Sequence, residues 1–71
     1  MFIHMETNDK AEAIKSWLAN HRKFETQATL AVKFNKSRTF ISLALNKQMV
    51  TKGAEALIDE LYEYLQDRYG M

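Results

Sequence analysis

The sequence predicts a small all-α domain of four helices, with room for a fifth, and three observations predict it. The 71 residues include no proline and only two glycines, Gly53 and Gly70, and the apolar stretches are rich in Ala, Leu, Lys and Glu, which lose little freedom in a helix. Apolar residues recur at i, i+3, i+4 and i+7 in several successive stretches. An Asp, Thr or Ser able to cap a first turn stands at the head of each stretch.

Taken in order, Asp9 followed by Glu12 reads as a capping box that opens the first helix. Ile14, Trp17, Leu18 and His21 form its inward stripe, and it should end between His21 and Lys23. Trp17, in the middle of that stripe, is read as core. Thr26 caps a second helix of about two turns carrying Ala28, Leu30, Ala31 and Phe34, too short to hold without packing. Asn35 stops it, because a sharp corner needs a left-handed residue and Asn tolerates that conformation best after glycine.

Ser37 caps a third helix at once. A rotation of about 100° per residue puts Ile41, Ala44 and Leu45 on one side and Arg38, Thr39, Ser42 and Asn46 on the other. Thr51 or Gly53 opens a fourth helix running to Arg68, before Gly70, with Ala54, Leu57, Ile58, Leu61, Tyr62 and Leu65 as its apolar stripe. With Tyr64 and Tyr69 that arc is wider than one small core requires, which predicts an association surface on a dimer or another partner, and Phe2, Ile3 and Met5 could extend it. No repeat, low-complexity tract or linker divides residues 1–71, so they read as one domain.

Size and composition exclude several classes. A domain this small buries only about 60% of the surface its unfolded chain exposes, so stabilisation from a partner is expected. The absence of cysteine removes disulfides and thiolate zinc sites, and the two histidines, His4 and His21, are far apart with no ligand set to join. No apolar run approaches the roughly 20 residues of a membrane span, and Met1–Met5 lacks a signal-peptide core, so a soluble, cytoplasmic protein is expected. Ser16, Ser37 and Ser42 each have a capping or surface role and none has a base at recognisable spacing; no enzyme, cofactor or small-molecule substrate is implied.

A net charge of +1 hides a sharp asymmetry. Between Arg22 and Lys52 seven basic residues face one acid, Glu25, whereas beyond Ala54 the acids Glu55, Asp59, Glu60, Glu63 and Asp67 face only Arg68. The acidic final helix should point away from a duplex or toward a basic partner.

Two short helices joined by a tight turn, the second offering small polar side chains, is the helix-turn-helix arrangement, here spanning about residues 26–46. The residues from Gln27 to Ser42 resemble the element of the Cro and lambda-repressor class of small phage and bacterial regulators, with Gln27, Leu30, Ala31, Ser37, Ile41 and Ser42 matching its pattern. The likeness extends over roughly residues 11–60. It implies that Gln27 touches a phosphate, that Arg38, Thr39 and Ser42 face base edges in the major groove, and that Lys33, Lys36 and Lys47 meet the backbone, with Asn46 on the same face. A dimer on such an operator would place its two third helices about 34 Å apart.

The chain departs from that pattern at Asn35, where glycine is usual, and at Lys36, where an apolar residue is usual. Phe40 and Leu43 stand where polar or basic residues are common. Leucine can meet only a thymine methyl and cannot discriminate bases by hydrogen bonds. Exposed apolar anchors suit a protein partner, so the chain also resembles the short modulator-of-repression antirepressors of temperate-phage switches, in which Phe40 and Leu43, with Leu57, Tyr62 and Tyr64, would contact a cognate repressor. Phe40 turned inward would leave that case to Leu43. The sequence thus predicts a bacterial-host, phage-type transcriptional regulator of a genetic switch, acting on operator DNA or on the repressor that binds it.

Overall fold

The computed structural model describes residues 7–71 as four helices: α1 (Thr7–Asn20), α2 (Gln27–Lys33), α3 (Arg38–Leu45) and α4 (Lys52–Tyr69), with no strand among the described residues. Phe2, Ile3, His4 and Met5 lie outside the described residues.

α1 begins two residues before the expected cap. Asp9 therefore lies within the first turn, where a carboxylate suits the positive end of the helix dipole. Glu12 does not complete a capping box; its carboxylate is turned to Lys15 at 3.6 Å and Lys47 at 3.1 Å. The helix ends at Asn20, earlier than expected, with the Asn20 side-chain amide donating to the Ser16 carbonyl at 2.9 Å. His21 still belongs to the inward stripe, half-buried and stacked on Trp17 at 4.3 Å between ring centroids.

α2 opens on a reciprocal cap. The Thr26 hydroxyl accepts from the Thr29 amide at 3.3 Å and the Thr29 hydroxyl accepts from the Thr26 amide at 2.9 Å, so threonine does what Glu does in the usual box. Leu30 and Ala31 are buried, but Ala28 is exposed, because it sits about 200° round the axis from Leu30 and a seven-residue helix has only one narrow inward face. The corner is a Schellman motif: Asn35 adopts φ 56°, its amide bonds the Val32 carbonyl at 3.2 Å, and the Lys36 amide bonds the Ala31 carbonyl at 2.9 Å.

Ser37 caps α3, its hydroxyl accepting from the Phe40 amide at 3.0 Å. A second Schellman motif closes the helix through Lys47 at φ 62°, with Lys47 bonded to the Ala44 carbonyl at 3.2 Å and Gln48 to the Leu43 carbonyl at 2.9 Å. Lysine has no local hydrogen bond to compensate a left-handed backbone, so this corner is strained by about 1 kcal/mol. Thr51, rather than Gly53, caps α4, accepting from the Ala54 amide at 3.1 Å, and Gly70 at φ 70° terminates it.

α4 packs on α1 and α3, α1 also touches α3, and α2 leans on α3. Ile14, Leu30, Ile41, Leu45, Leu61 and Leu65 fill the centre. Leu57 is only 2% exposed and belongs to this core, which corrects its assignment to a partner surface: α4 crosses two helices and buries a wider arc than a single contact would.

The tyrosines of α4 serve the same interior. Glu25, in the loop before α2, is 5% exposed, and its carboxylate accepts from the Thr29 hydroxyl, from the Tyr64 phenol at 2.7 Å and from the Tyr69 phenol at 2.8 Å. Trp17 lies 5.0 Å from Tyr69, and Phe34 meets Tyr64 edge-on at 5.5 Å. The arc that predicted association is thus largely occupied within the domain. Burial alone pushes the Glu25 carboxyl up, but the three hydroxyls, aided by Lys33, outweigh it and hold it below the usual carboxylate range. Burial and the neighbouring carboxylate push the Tyr64 phenol up, and the hydrogen bond to Glu25 together with burial does the same to Tyr69.

Candidate nucleic-acid interface

The outward side of α3 meets the start of α2 along a groove of about 380 Å³ lined by Gln27, Arg38, Thr39, Ser42 and Leu43. Local structure places each of them. Thr26 and Ser37 fix where α2 and α3 begin, the Schellman corner sets one helix against the other, and Ile41 anchors α3 from the opposite side with no exposure. Arg38 and Thr39 therefore stand at the first turn of α3, exposed, and Ser42 one turn on.

Asn46 donates its side-chain amide to the Ser42 hydroxyl oxygen at 3.3 Å. In that bond the Ser42 hydroxyl accepts, so its own hydrogen is not used there. Leu43 adds an apolar wall.

A second, larger cleft of about 570 Å³ adjoins the groove, sharing Gln27 and Arg38 with it and adding Asn46, Thr26, Lys15 and Arg22. Lys15 and Arg22 were not singled out from the sequence as site residues. Lys15, Leu18, Ala19 and Arg22 follow i, i+3, i+4, i+7, which groups them on one side of α1 and the loop beyond it, but the spacing does not say that this side lies against α2 and α3. No residue lining either depression comes from α4, so its acidic side chains stay out of both.

The remaining nominated residues stand apart. Lys36 is exposed and lines neither depression; its ammonium lies 6.0 Å from the centre of the Phe40 ring. Lys47 is held by Glu12, and the Lys47 and Lys15 ammoniums beside it keep the Glu12 carboxyl below its ordinary range. Phe40 is half-buried and packs on the core, so it is neither fully interior nor a free anchor. Tyr64 bonds Glu25, and Tyr62 is half-buried with the Lys10 ammonium 5.5 Å from its ring centre. The groove's apolar contribution is Leu43.

Among the described residues no three His, Cys, Asp or Glu side chains gather to hold a metal ion, and no helix is long and apolar enough to cross a membrane. Comparison of the chain with protein-family models, curated proteins and solved structures finds no match.

Proposed function

We propose that this chain is a small helix-turn-helix regulator of the phage type that docks on duplex DNA with α3 in the major groove. The observation that carries the reading is the convergence of Gln27, Arg38, Thr39 and Ser42 on one groove, at the first turns of α2 and α3. Their chemistry suits base edges. An arginine can bond guanine O6 and N7 together, small hydroxyls donate to or accept from several bases, and Leu43 can meet a thymine methyl. Gln27, at the first turn of α2, suits a backbone phosphate that fixes the register.

Fluorescence anisotropy with labelled 20-base-pair duplexes, drawn from a random library and enriched on the protein, tests this. Binding should weaken steeply between about 50 and 200 mM salt, as it does whenever cations replace condensed counterions. Arg38→Ala should lower discrimination between enriched and scrambled duplexes. Absence of duplex binding, or salt-independent binding, contradicts the reading.

One observation favours a second use of the same helix. Leu43 lines the groove, and an apolar side chain there suits a protein surface better than a base-reading role, as in an antirepressor that covers a repressor's DNA-binding domain. Under that reading Leu43→Ser weakens the protein complex more than Arg38→Ala, and the reverse ranking rejects it.

A further inference from the structure

We propose that the cleft between the end of α1 and the α2–α3 unit is a seat for a backbone phosphate of the duplex, an inference that rests on the DNA-docking reading above. Lys15, Arg22 and Arg38 converge on it from α1, the loop after α1 and the first turn of α3. Thr26, Gln27 and Asn46 supply uncharged polar groups on the same walls. Among the described residues no carboxylate lines it.

Three like charges around one concavity repel one another, and among the described residues the fold gives only Lys15 an internal counter-ion, one it shares. Lys15 shares Glu12 with Lys47, at 3.6 Å, while among the described residues Arg22 and Arg38 form no ion pair. Leu18 and Ala19 form part of its wall, and a low-dielectric wall lined by one sign of charge focuses the field on an incoming anion. A planar guanidinium pairs two phosphate oxygens at once, which favours a phosphodiester over a chloride-sized ion.

Position identifies the source of that phosphate. Gln27 and Arg38 line both this cleft and the adjoining groove, so a duplex presenting base edges to Arg38 and Ser42 lies directly against the cleft. The site extends the footprint from the recognition helix onto α1, through two cations that read no sequence.

The test is the salt dependence of duplex binding by the full chain, wild type against Arg22→Ala, Lys15→Ala, the double variant and Arg22→Lys. Each alanine should lower the slope of log Kd against log salt by about 1, so that the affinity lost between about 50 and 200 mM salt shrinks roughly 3.5-fold per cation removed. Preference among duplex sequences should not change, and Arg22→Lys should restore most of the slope. Circular dichroism of each variant confirms the fold.

A double variant that keeps the wild-type slope, while the wild type binds duplex, overturns the phosphate seat and leaves the DNA reading intact. Inorganic phosphate that shifts the Arg22 and Lys15 resonances at millimolar concentration, with duplex slopes unaffected by the variants, assigns the cleft to a free anion and also overturns it. A wild type that binds no duplex even at low salt overturns both.

Discussion

Replacing Glu25 by alanine should be among the most damaging changes outside the apolar core. The carboxylate is 5% exposed and receives three hydroxyl hydrogen bonds, one from Thr29 in α2 and two, from Tyr64 and Tyr69, that tie the loop before α2 to the last turns of α4. A hydrogen bond to a charged group contributes about 1.5–3 kcal/mol, but such bonds do not add, and half-exposed phenols regain water when the carboxylate is gone. A net loss of about 2–3 kcal/mol follows, against a total stability of about 4–10 kcal/mol for a domain of this length. With a urea m-value near 1 kcal/mol/M, the midpoint falls by about 2–3 M. Trp17, 5.0 Å from the Tyr69 ring, reports the transition by its fluorescence. Glu25→Gln, which keeps the shape and one acceptor, should fall between wild type and alanine, and Tyr64→Phe should cost less in the Glu25→Gln background than in the wild type. A midpoint shift below about 0.5 M for Glu25→Ala would refute the claim that this carboxylate holds the two ends of the fold together.

The same group sets a pH dependence. Because the Glu25 carboxyl titrates below its ordinary 4.5 in the folded chain, its contribution is complete above that value and lost as the pH falls through the folded one. The Tyr64 and Tyr69 phenols, raised above their ordinary 10.0, contribute below that value and lose the contribution as the pH climbs through the folded ones. Denaturation midpoints measured across the acid limb should flatten in Glu25→Gln. Ser37→Ala removes the cap of α3 and should cost about 0.5–2 kcal/mol in the same urea assay, with duplex affinity falling as the first turn frays. Lys47→Gly relieves the left-handed corner and should raise stability by up to about 1 kcal/mol; a decrease would show that the Glu12 pairing matters more than the backbone strain.

Local rules were the legible part of the fold. Thr26 and Ser37 cap where their sequence context says they should, Thr51 is one of the two starts it allows for α4, and Asn35 takes the left-handed corner that its position between two helical runs demands, whereas Asp9 lies inside the first turn of α1 and not at its cap. Ile14, Leu30, Ile41 and Leu61 are buried as their periodicity requires. Legibility failed where tertiary neighbours decide. Nothing near Glu25 marks it as a buried carboxylate, since the two phenols that satisfy it lie 39 and 44 residues away. For the same reason the width of the α4 arc points to a partner although the chain itself covers much of it, and Leu57, which that width assigns to a partner surface, is buried. Within the candidate interface, Arg38, Thr39 and Ser42 follow from the helical spacing of α3 alone. The joining of Gln27 to them depends on how α2 meets α3, and that of Lys15 and Arg22 on how α1 lies beside both, geometry that no single stretch encodes.

The most direct test of the central claim is a map of amide chemical shifts in the 15N-labelled chain titrated with an enriched duplex. Perturbations concentrated at Gln27, Arg38, Thr39, Ser42 and Asn46, with α4 beyond Ala54 unmoved, are the predicted result. Perturbations confined to α4, or none at low salt, would contradict the assignment of α3 as the surface that meets DNA.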